Sequence, residues 1–304
     1  MSDPLVWLPF DPDLLGDPPT GLRYEVVDPT EQVPDSVAEV EFYVPPYQVG
    51  PRVGEVLPRM TGLKVVQTLT AGVDNVRGLV PDGVTLCNGR GIHDASTAEL
   101  ALTLTLASLR GIPGFVRAQE RREWTFGWHP ALADRRVLLV GYGAIGEAIE
   151  RRLVPFEVEV VRVARTAREG VHAIDELPAL LPDADVVVLV VPLTEATRGL
   201  VDAEFLARMK DGALLVNVAR GAVVVTDDLV AALHGGRISA ATDVTEVEPL
   251  PADHPLWSAP NLLVSPHVGG SSSAMWPRAH RLVREQLTRY AAGEPLTNVM
   301  AGDY

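Results

Sequence analysis

A single cysteine, Cys87, among 304 residues excludes an intrachain disulfide and any cluster of thiolate metal ligands. It lies in the apolar run 84–87, where a buried structural thiol is the expected role. Positive charge is also scarce. Twenty-six Lys and Arg stand against 40 Asp and Glu, the formal net charge is -14, the pI is near 4.9, and no Lys/Arg run interrupts that field. Such a surface repels a phosphate backbone, so no nucleic-acid partner is expected. No window approaches the roughly 20 apolar residues of a membrane span, and Met1-Ser2-Asp3-Pro4 lacks the basic start of a secretory signal. A cytoplasmic protein without a membrane partner is therefore expected. Repeats and low-complexity segments are absent too, which sets aside solenoid and linker architectures.

What is present reads as globular: 47% of residues are hydrophobic and 22% charged. The length favours two domains. Short β-like runs at 5–8, 24–27, 40–44, 63–69 and 84–87 are separated by Pro and Gly, with a helix-compatible stretch at 51–60, so a small α/β unit with a parallel sheet is expected first. Ser96-Thr97-Ala98-Glu99 then reads as a capping box ahead of Leu100, Leu102, Leu104, Leu106 and Leu109. This helix should stop near Arg110-Gly111-Ile112-Pro113. It reads as a hinge helix between domains, with a place at a subunit interface open to it, or else as a core helix inside a monomer. From Arg136 onward apolar strands at 137–140, 158–163, 186–191, 214–218, 238–244 and 262–265 alternate with helices at 145–153, 175–181, 202–209 and 226–233. Unbroken Val/Leu runs are what a parallel strand covered on both faces requires, and the pattern is that of a doubly wound sheet. A last helix at 273–292 comes too late to belong obviously to that sheet.

Directly after the run 137–140 stands Gly141-Tyr142-Gly143-Ala144-Ile145-Gly146, where a helix should open. Placed between strand and helix, this spacing points backbone N–H groups and a helix N-terminus at a pyrophosphate. Gly141 allows the tight turn, Gly143 the close approach of phosphate, and Gly146 the contact of helix with sheet. About 20 residues on, an NAD site would carry Asp or Glu for the ribose 2′-OH. This chain has Ala164 there, followed by Arg165, Thr166 and Arg168, which suit a 2′-phosphate instead. NADP(H) is the expected cofactor, with NAD(H) also accepted.

Three polar residues follow later strand ends, where open α/β sheets place ligands. They are Arg220 in Asn217-Val218-Ala219-Arg220-Gly221, Glu248 in Thr245-Glu246-Val247-Glu248-Pro249-Leu250-Pro251, and His267 in Ser265-Pro266-His267-Val268-Gly269-Gly270. A fixed guanidinium and an imidazolium could together stabilise the charge that grows on a carbonyl oxygen during hydride attack, and a carboxylate beside the His would keep it protonated.

With Thr70-Ala71-Gly72-Val73-Asp74-Asn75, Ala98-Glu99, and Val191-Pro192-Leu193-Thr194 followed by Thr197, these motifs run in an order that resembles the D-isomer-specific 2-hydroxyacid dehydrogenases over nearly the whole chain. The resemblance implies a Rossmann dinucleotide domain at 96–273 and a smaller flavodoxin-like α/β substrate domain at 1–95 completed by 274–304. It implies that Arg220 binds the substrate carboxylate and carbonyl, His267 exchanges the hydroxyl proton, Glu248 keeps His267 charged, and Ala71, Gly72 and Val73 offer N–H groups to the carboxylate. Asp243 would take the nicotinamide amide, while Ala144, Ile145, Pro192, Thr197, Val218, Ala219 and Gly269 would line the dinucleotide. The implied activity is interconversion of a small 2-oxo acid and its D-2-hydroxy acid, of glyoxylate/hydroxypyruvate reductase type, by a homodimer. Formate dehydrogenases share the architecture but pair their histidine with Gln. A dinucleotide-sensing corepressor of the same fold is the alternative from another functional class.

Some residues fit less directly. Thr242 and Thr245 stand where the family commonly has Leu and an aromatic residue, which bears on packing beside Glu248. His93-Asp94 looks like a second acid/base pair but is better explained by helix-start chemistry, with His93 a candidate cleft residue. Trp124, Trp128 and Trp276 are candidates for pocket, core or interface. No regulatory extension is expected after Tyr304.

Overall fold

The computed structural model describes residues 3–28, 32–48, 50 and 52–300. Pro51, the expected start of the first helix, and the tail 301–304 lie outside the described residues. The chain divides into two compact units, Met1–His93 with Ser273–Tyr304, and Asp94–Ser272.

The first unit holds β1 (Leu5–Leu8), β2 (Arg23–Val26), β3 (Val40–Tyr43), a short α1 (Arg52–Val56), β4 (Val65–Gln67) and β5 (Thr85–Cys87). The strands pair in parallel in the order β2-β1-β3-β4-β5, the flavodoxin-like arrangement. All four residues of β1 are buried because both faces are covered. Leu5 and Trp7 join a core with Val37, Val56 and Val66, while Val6 and Leu8 turn to a second core with Phe42, Val65 and Leu69. That is the two-residue alternation of a strand serving two apolar layers.

The second unit runs α2 (Asp94–Leu109), α3 (Ile112–Glu120), β6 (Arg136–Val140), α4 (Ala144–Leu153), β7 (Glu159–Ala164), β8 (His172–Ala173), α5 (Leu177–Leu180), β9 (Val186–Leu189), α6 (Ala203–Arg208), β10 (Leu214–Asn217), α7 (Thr226–His234), β11 (Ser239–Thr242) and β12 (Leu262–Val264). Its seven strands are parallel in the order β12-β11-β10-β9-β6-β7-β8. The order reverses between β6 and β9, and a crevice opens beyond the carboxyl ends of strands at such a switch point. Here too alternate residues part: Leu138, Val140, Val187 and Leu189 face one core, and Val137, Leu139, Val186 and Val188 the other. Finally α8 (Met275–Ala292) returns to the first unit, where Met275, Ala279, Val283 and Leu287, spaced by four, complete the core beside β1.

Several local expectations change. Helix α2 begins at Asp94, so Ser96 is already helical, and its Oγ lies 2.6 Å from that of Ser272 instead of capping. The Gly111-Ile112-Pro113 stop is also a start: Gly111 adopts a left-handed conformation (φ 68°), and Pro113 falls in the first turn of α3, where no N–H is required of it. The stretch 175–181 is α-helical only over Leu177–Leu180, with 3-10 turns on either side of it. Among the described residues no helix is long and apolar enough to cross a membrane.

Candidate active site

The turn from β6 into α4 is built around its glycines. Gly141 has φ 109°, and a Cβ on it would come within 2.7 Å of the Val190 carbonyl carbon and oxygen on the neighbouring loop after β9. A Cβ on Gly146 would strike the Gly141 carbonyl oxygen. Gly143 differs, since a Cβ there would meet nothing within 4 Å. Gly143 is also the N-cap of α4 with no side chain capping the first turn. Open space therefore faces uncapped N–H groups of Ala144, Ile145 and Gly146 at the positive end of a helix, which fits a pyrophosphate. Beyond β7, which ends at Ala164, Arg165, Thr166 and Arg168 are exposed. Arg168 Nη2 donates to the Tyr142 carbonyl at 2.6 Å. On the other side of the turn the Thr197 hydroxyl donates to Pro192 O at 2.6 Å and accepts from Thr194 N at 2.8 Å. Thr197 thus shapes the loop through the backbone, and its hydroxyl is largely committed there.

The ends of β10, β11 and β12 bring three ionisable side chains together. His267 Nδ1 and Glu248 Oε2 are 2.6 Å apart. Glu248 Oε1 also accepts the Thr245 N–H at 3.0 Å, and the Thr245 hydroxyl donates to Val247 O at 2.7 Å, so the departure noted at Thr245 stabilises the loop that carries the carboxylate. The hydrogen bond to Glu248 raises the His267 pKa above its usual value, outweighing partial burial and the nearby Arg220 charge. Burial pushes the Glu248 carboxyl up, but the hydrogen bonds from His267 and the Thr245 N–H bring it below the usual value. With Nδ1 directed at Glu248, Nε2 is the nitrogen left to exchange a proton.

Arg220 follows β10 in an extended conformation (φ -142°, ψ 148°), and its Nη1 donates to Ala219 O at 2.8 Å. Asn217 holds this corner, donating to Arg220 O at 3.1 Å and accepting from Ala219 N at 3.0 Å. Val218 and Ala219 are buried between them. Behind Arg220, a Cβ on Gly221 would collide with the Thr245 carbonyl and Glu246 N, so only glycine lets the Glu248 loop lie this close. Asp243, 3% exposed, accepts from Ser265 Oγ (2.6 Å), Val268 N (2.9 Å) and Gly269 N (2.7 Å), while its own carbonyl takes His267 N at 2.7 Å. These bonds hold His267 in a left-handed conformation (φ 53°). A carboxylate offers about four acceptor sites, and these three bonds place two on Oδ1 and one on Oδ2.

Other expected residues fall elsewhere. Ala71, Gly72 and Val73 lie on a loop of the first unit between β4 and β5, steadied by Asn88 Nδ2 donating to Ala71 O at 2.9 Å and Thr70 Oγ1 donating to Gly72 O at 2.7 Å. His93 is buried, with Nε2 2.8 Å from Leu69 O and its ring beside Tyr47, so it packs in the first unit. Trp124 and Trp128 are not core residues, being 98% and 94% exposed. Cys87 is buried, and burial pushes its thiol up to about 11. Sequence reasoning passed over Asn217, Gly221 and Ser265. All three lie inside the quoted motifs, and a glycine directly after a strand-end arginine was the readable signal for close backbone approach. Among the described residues no group of three His, Cys, Asp or Glu is placed to hold a metal ion.

Comparison with known proteins bears on this geometry. The sequence pattern of the D-isomer specific 2-hydroxyacid dehydrogenase NAD binding domain matches residues 102–269. A Homo sapiens protein named glyoxylate reductase/hydroxypyruvate reductase is 34% identical over 251 residues, covering 77% of this chain and 76% of that protein. The crystal structure of a D-isomer specific 2-hydroxyacid dehydrogenase from Xanthobacter autotrophicus Py2, in complex with NADPH and MES, superposes with a TM-score of 0.83 at 33% identity, covering 99% of this chain and 98% of that one. An NADPH-dependent glyoxylate/hydroxypyruvate reductase from Sinorhizobium meliloti, crystallised with NADP and sulfate, gives 0.84 at 28% identity, with 98% of each chain covered.

Proposed function

The chain belongs to the D-isomer specific 2-hydroxyacid dehydrogenase family, and from that membership we propose that it is an NADPH-preferring reductase of small 2-oxo acids of the glyoxylate/hydroxypyruvate class. As a member of the family it transfers hydride between NAD(P)H and 2-oxo or 2-hydroxy acids. The observation that carries the 2-oxo acid chemistry is the 2.6 Å His267–Glu248 pair formed within reach of the Arg220 charge at the carboxyl ends of a doubly wound sheet.

The N–H groups of Ala144, Ile145 and Gly146 beside Gly143 would hold the dinucleotide pyrophosphate, and the cofactor would supply the hydride. Arg220 binds the 2-oxo acid and stabilises the negative charge that grows on its carbonyl oxygen. His267 gives that oxygen the proton from Nε2, and Glu248 stabilises the imidazolium before transfer. Asp243 orders the turn that presents His267 and keeps one acceptor for the nicotinamide amide. Backbone N–H groups of Ala71, Gly72 and Val73 are assigned to the substrate carboxylate by resemblance, which makes 1–95 with 274–304 the substrate domain. Arg165, Thr166 and Arg168, with Ala164 in place of an acid, support the NADPH preference.

The same reading makes the protein a cytoplasmic homodimer. A lone reduced thiol suits the cytosol. Trp124, Phe126 and Trp128, at 98%, 84% and 94% exposed, form an apolar segment that a second copy would cover. Sedimentation velocity on the wild type and on a Trp124→Ser, Trp128→Ser double variant tests this: a dimer that dissociates in the variant is expected, and a wild-type monomer removes the dimer.

The deciding assay is loss of reduced-nicotinamide absorbance with NADPH and NADH in parallel against glyoxylate, hydroxypyruvate, pyruvate, phenylpyruvate and branched 2-oxo acids. Turnover led by glyoxylate or hydroxypyruvate with NADPH is expected. Tight cofactor binding without turnover on any 2-oxo acid would overturn the substrate assignment and favour a dinucleotide sensor.

A further inference from the structure

Arginines on exposed loops are ordinarily mobile, yet Arg168 is held twice by one residue. It donates to the Tyr142 carbonyl at 2.6 Å, and its guanidinium carbon lies 5.6 Å from the Tyr142 ring centroid. Arg162 of β7 lies at the same 5.6 Å from that ring. Two cations against one ring would repel each other, but Glu150 of α4 neutralises Arg162, accepting from its Nε at 3.0 Å and from its Nη2. The Tyr142 hydroxyl donates to the same carboxylate. The ring is thereby fixed at both ends, through the glycine turn and through Glu150. Arg168 itself pairs with no carboxylate among the described residues, so its charge stays available at the turn.

We infer that Tyr142 is a positioning residue for dinucleotide selectivity: clamped by Glu150 and Arg162, it holds Arg168 ready for a phosphate on the 2′ oxygen of an adenosine ribose. This rests on the assignment of Arg168 to the 2′-phosphate. The physical content is preorganisation. A guanidinium already ordered by a carbonyl and a ring loses little further freedom when an anion arrives, whereas an unheld one would have to be ordered at the expense of affinity. A ligand without the 2′-phosphate never uses Arg168, so the effect must appear as a ratio between two ligands and not as a general loss.

Dissociation constants of NADPH, NADH, 2′,5′-ADP and 5′-AMP, measured by calorimetry without turnover, test this on three variants. Tyr142→Leu keeps the backbone carbonyl but removes ring and hydroxyl; it should weaken NADPH and 2′,5′-ADP about tenfold, and NADH and 5′-AMP by less than about twofold. Tyr142→Phe keeps the ring and loses the Glu150 bond, and should weaken the 2′-phosphorylated ligands about threefold. Equal weakening of all four ligands, or an unchanged ratio, overturns the inference. Should Tyr142→Leu not fold, Tyr142→Phe decides on the same criterion. Arg168→Ala separates the two levels: if it leaves the ratio unchanged, the 2′-phosphate assignment falls and the inference with it. If it abolishes the ratio while the Tyr142 variants retain it, the positioning role alone falls.

Discussion

At the scale of the residue, His267 depends on two acidic neighbours for different things. Asp243 orders its backbone, and Glu248 sets its charge. A left-handed conformation at a non-glycine residue costs roughly 1–2 kcal/mol, and the bonds from His267, Val268 and Gly269 to Asp243 offset it. Because the pKa of His267 is raised above 6.5, the imidazolium persists toward neutrality. Reduction consumes that proton, so kcat/KM for the 2-oxo acid should hold steady at acid pH and fall as pH rises through the raised pKa, with oxidation showing the opposite trend. Glu248→Gln removes the charge that raises it. The descending limb should move to lower pH, and a pH–rate profile with an unmoved limb would separate Glu248 from the proton donor. Arg220→Lys keeps a cation but loses the planar fork, and kcat/KM should drop on the order of 100-fold. Ala164→Asp places a carboxylate where NAD sites carry one after this strand, and the NADPH/NADH ratio of kcat/KM should shift toward NADH by about tenfold or more.

At the scale of the element, three glycines of the second unit make separable predictions. Gly143 faces open space and Gly146 faces the Gly141 carbonyl. Gly143→Ala should therefore leave urea unfolding within about 0.5 kcal/mol of wild type while weakening NADPH binding. Gly146→Ala should lose both, with about 1–3 kcal/mol of stability gone to overpacking. Gly221→Ala drives a methyl into the Thr245–Glu246 backbone. It should cost a similar amount and, by displacing Glu248, also lower the pKa seen in the rate profile; an unaltered profile would show that the loop absorbs the methyl without moving Glu248. The elements themselves were largely legible: the four-residue runs at β1 and β9 are buried on both faces, and that demands continuous apolar sequence. Helix α3 was not, because its start coincides with a Gly-Pro stop signal.

At the scale of the whole molecule, a buried polar network ties the end of the chain to its beginning. Gln286 of α8 donates to Gln67 Oε1 at 2.7 Å and to Thr297 O at 2.8 Å, and accepts from Thr297 N at 2.9 Å and Thr297 Oγ1 at 3.0 Å. Gln286 and Gln67 are fully buried. Gln286→Ala strands these partners without water, and the urea unfolding free energy should fall by about 3 kcal/mol, while NADPH affinity, which belongs to residues 94–272, stays unchanged. A loss below about 1 kcal/mol would mean that the network is readily re-formed by solvent.

From the sequence alone came the strand runs, the glycine turn, the missing acid at Ala164 and the motif order that names the family. Each of these is a local property: burial on two faces, a tight turn and a helix start leave their mark within a few neighbouring positions. The tertiary structure alone decided who meets whom. It set Arg168 on Tyr142 across 26 residues and Gln286 on Gln67 across 219, and it gave the Glu248–His267 pair, expected from the resemblance, its 2.6 Å geometry. Strand order, and not spacing along the chain, fixes such partners, because parallel crossovers bring distant strand ends side by side while separating sequence neighbours.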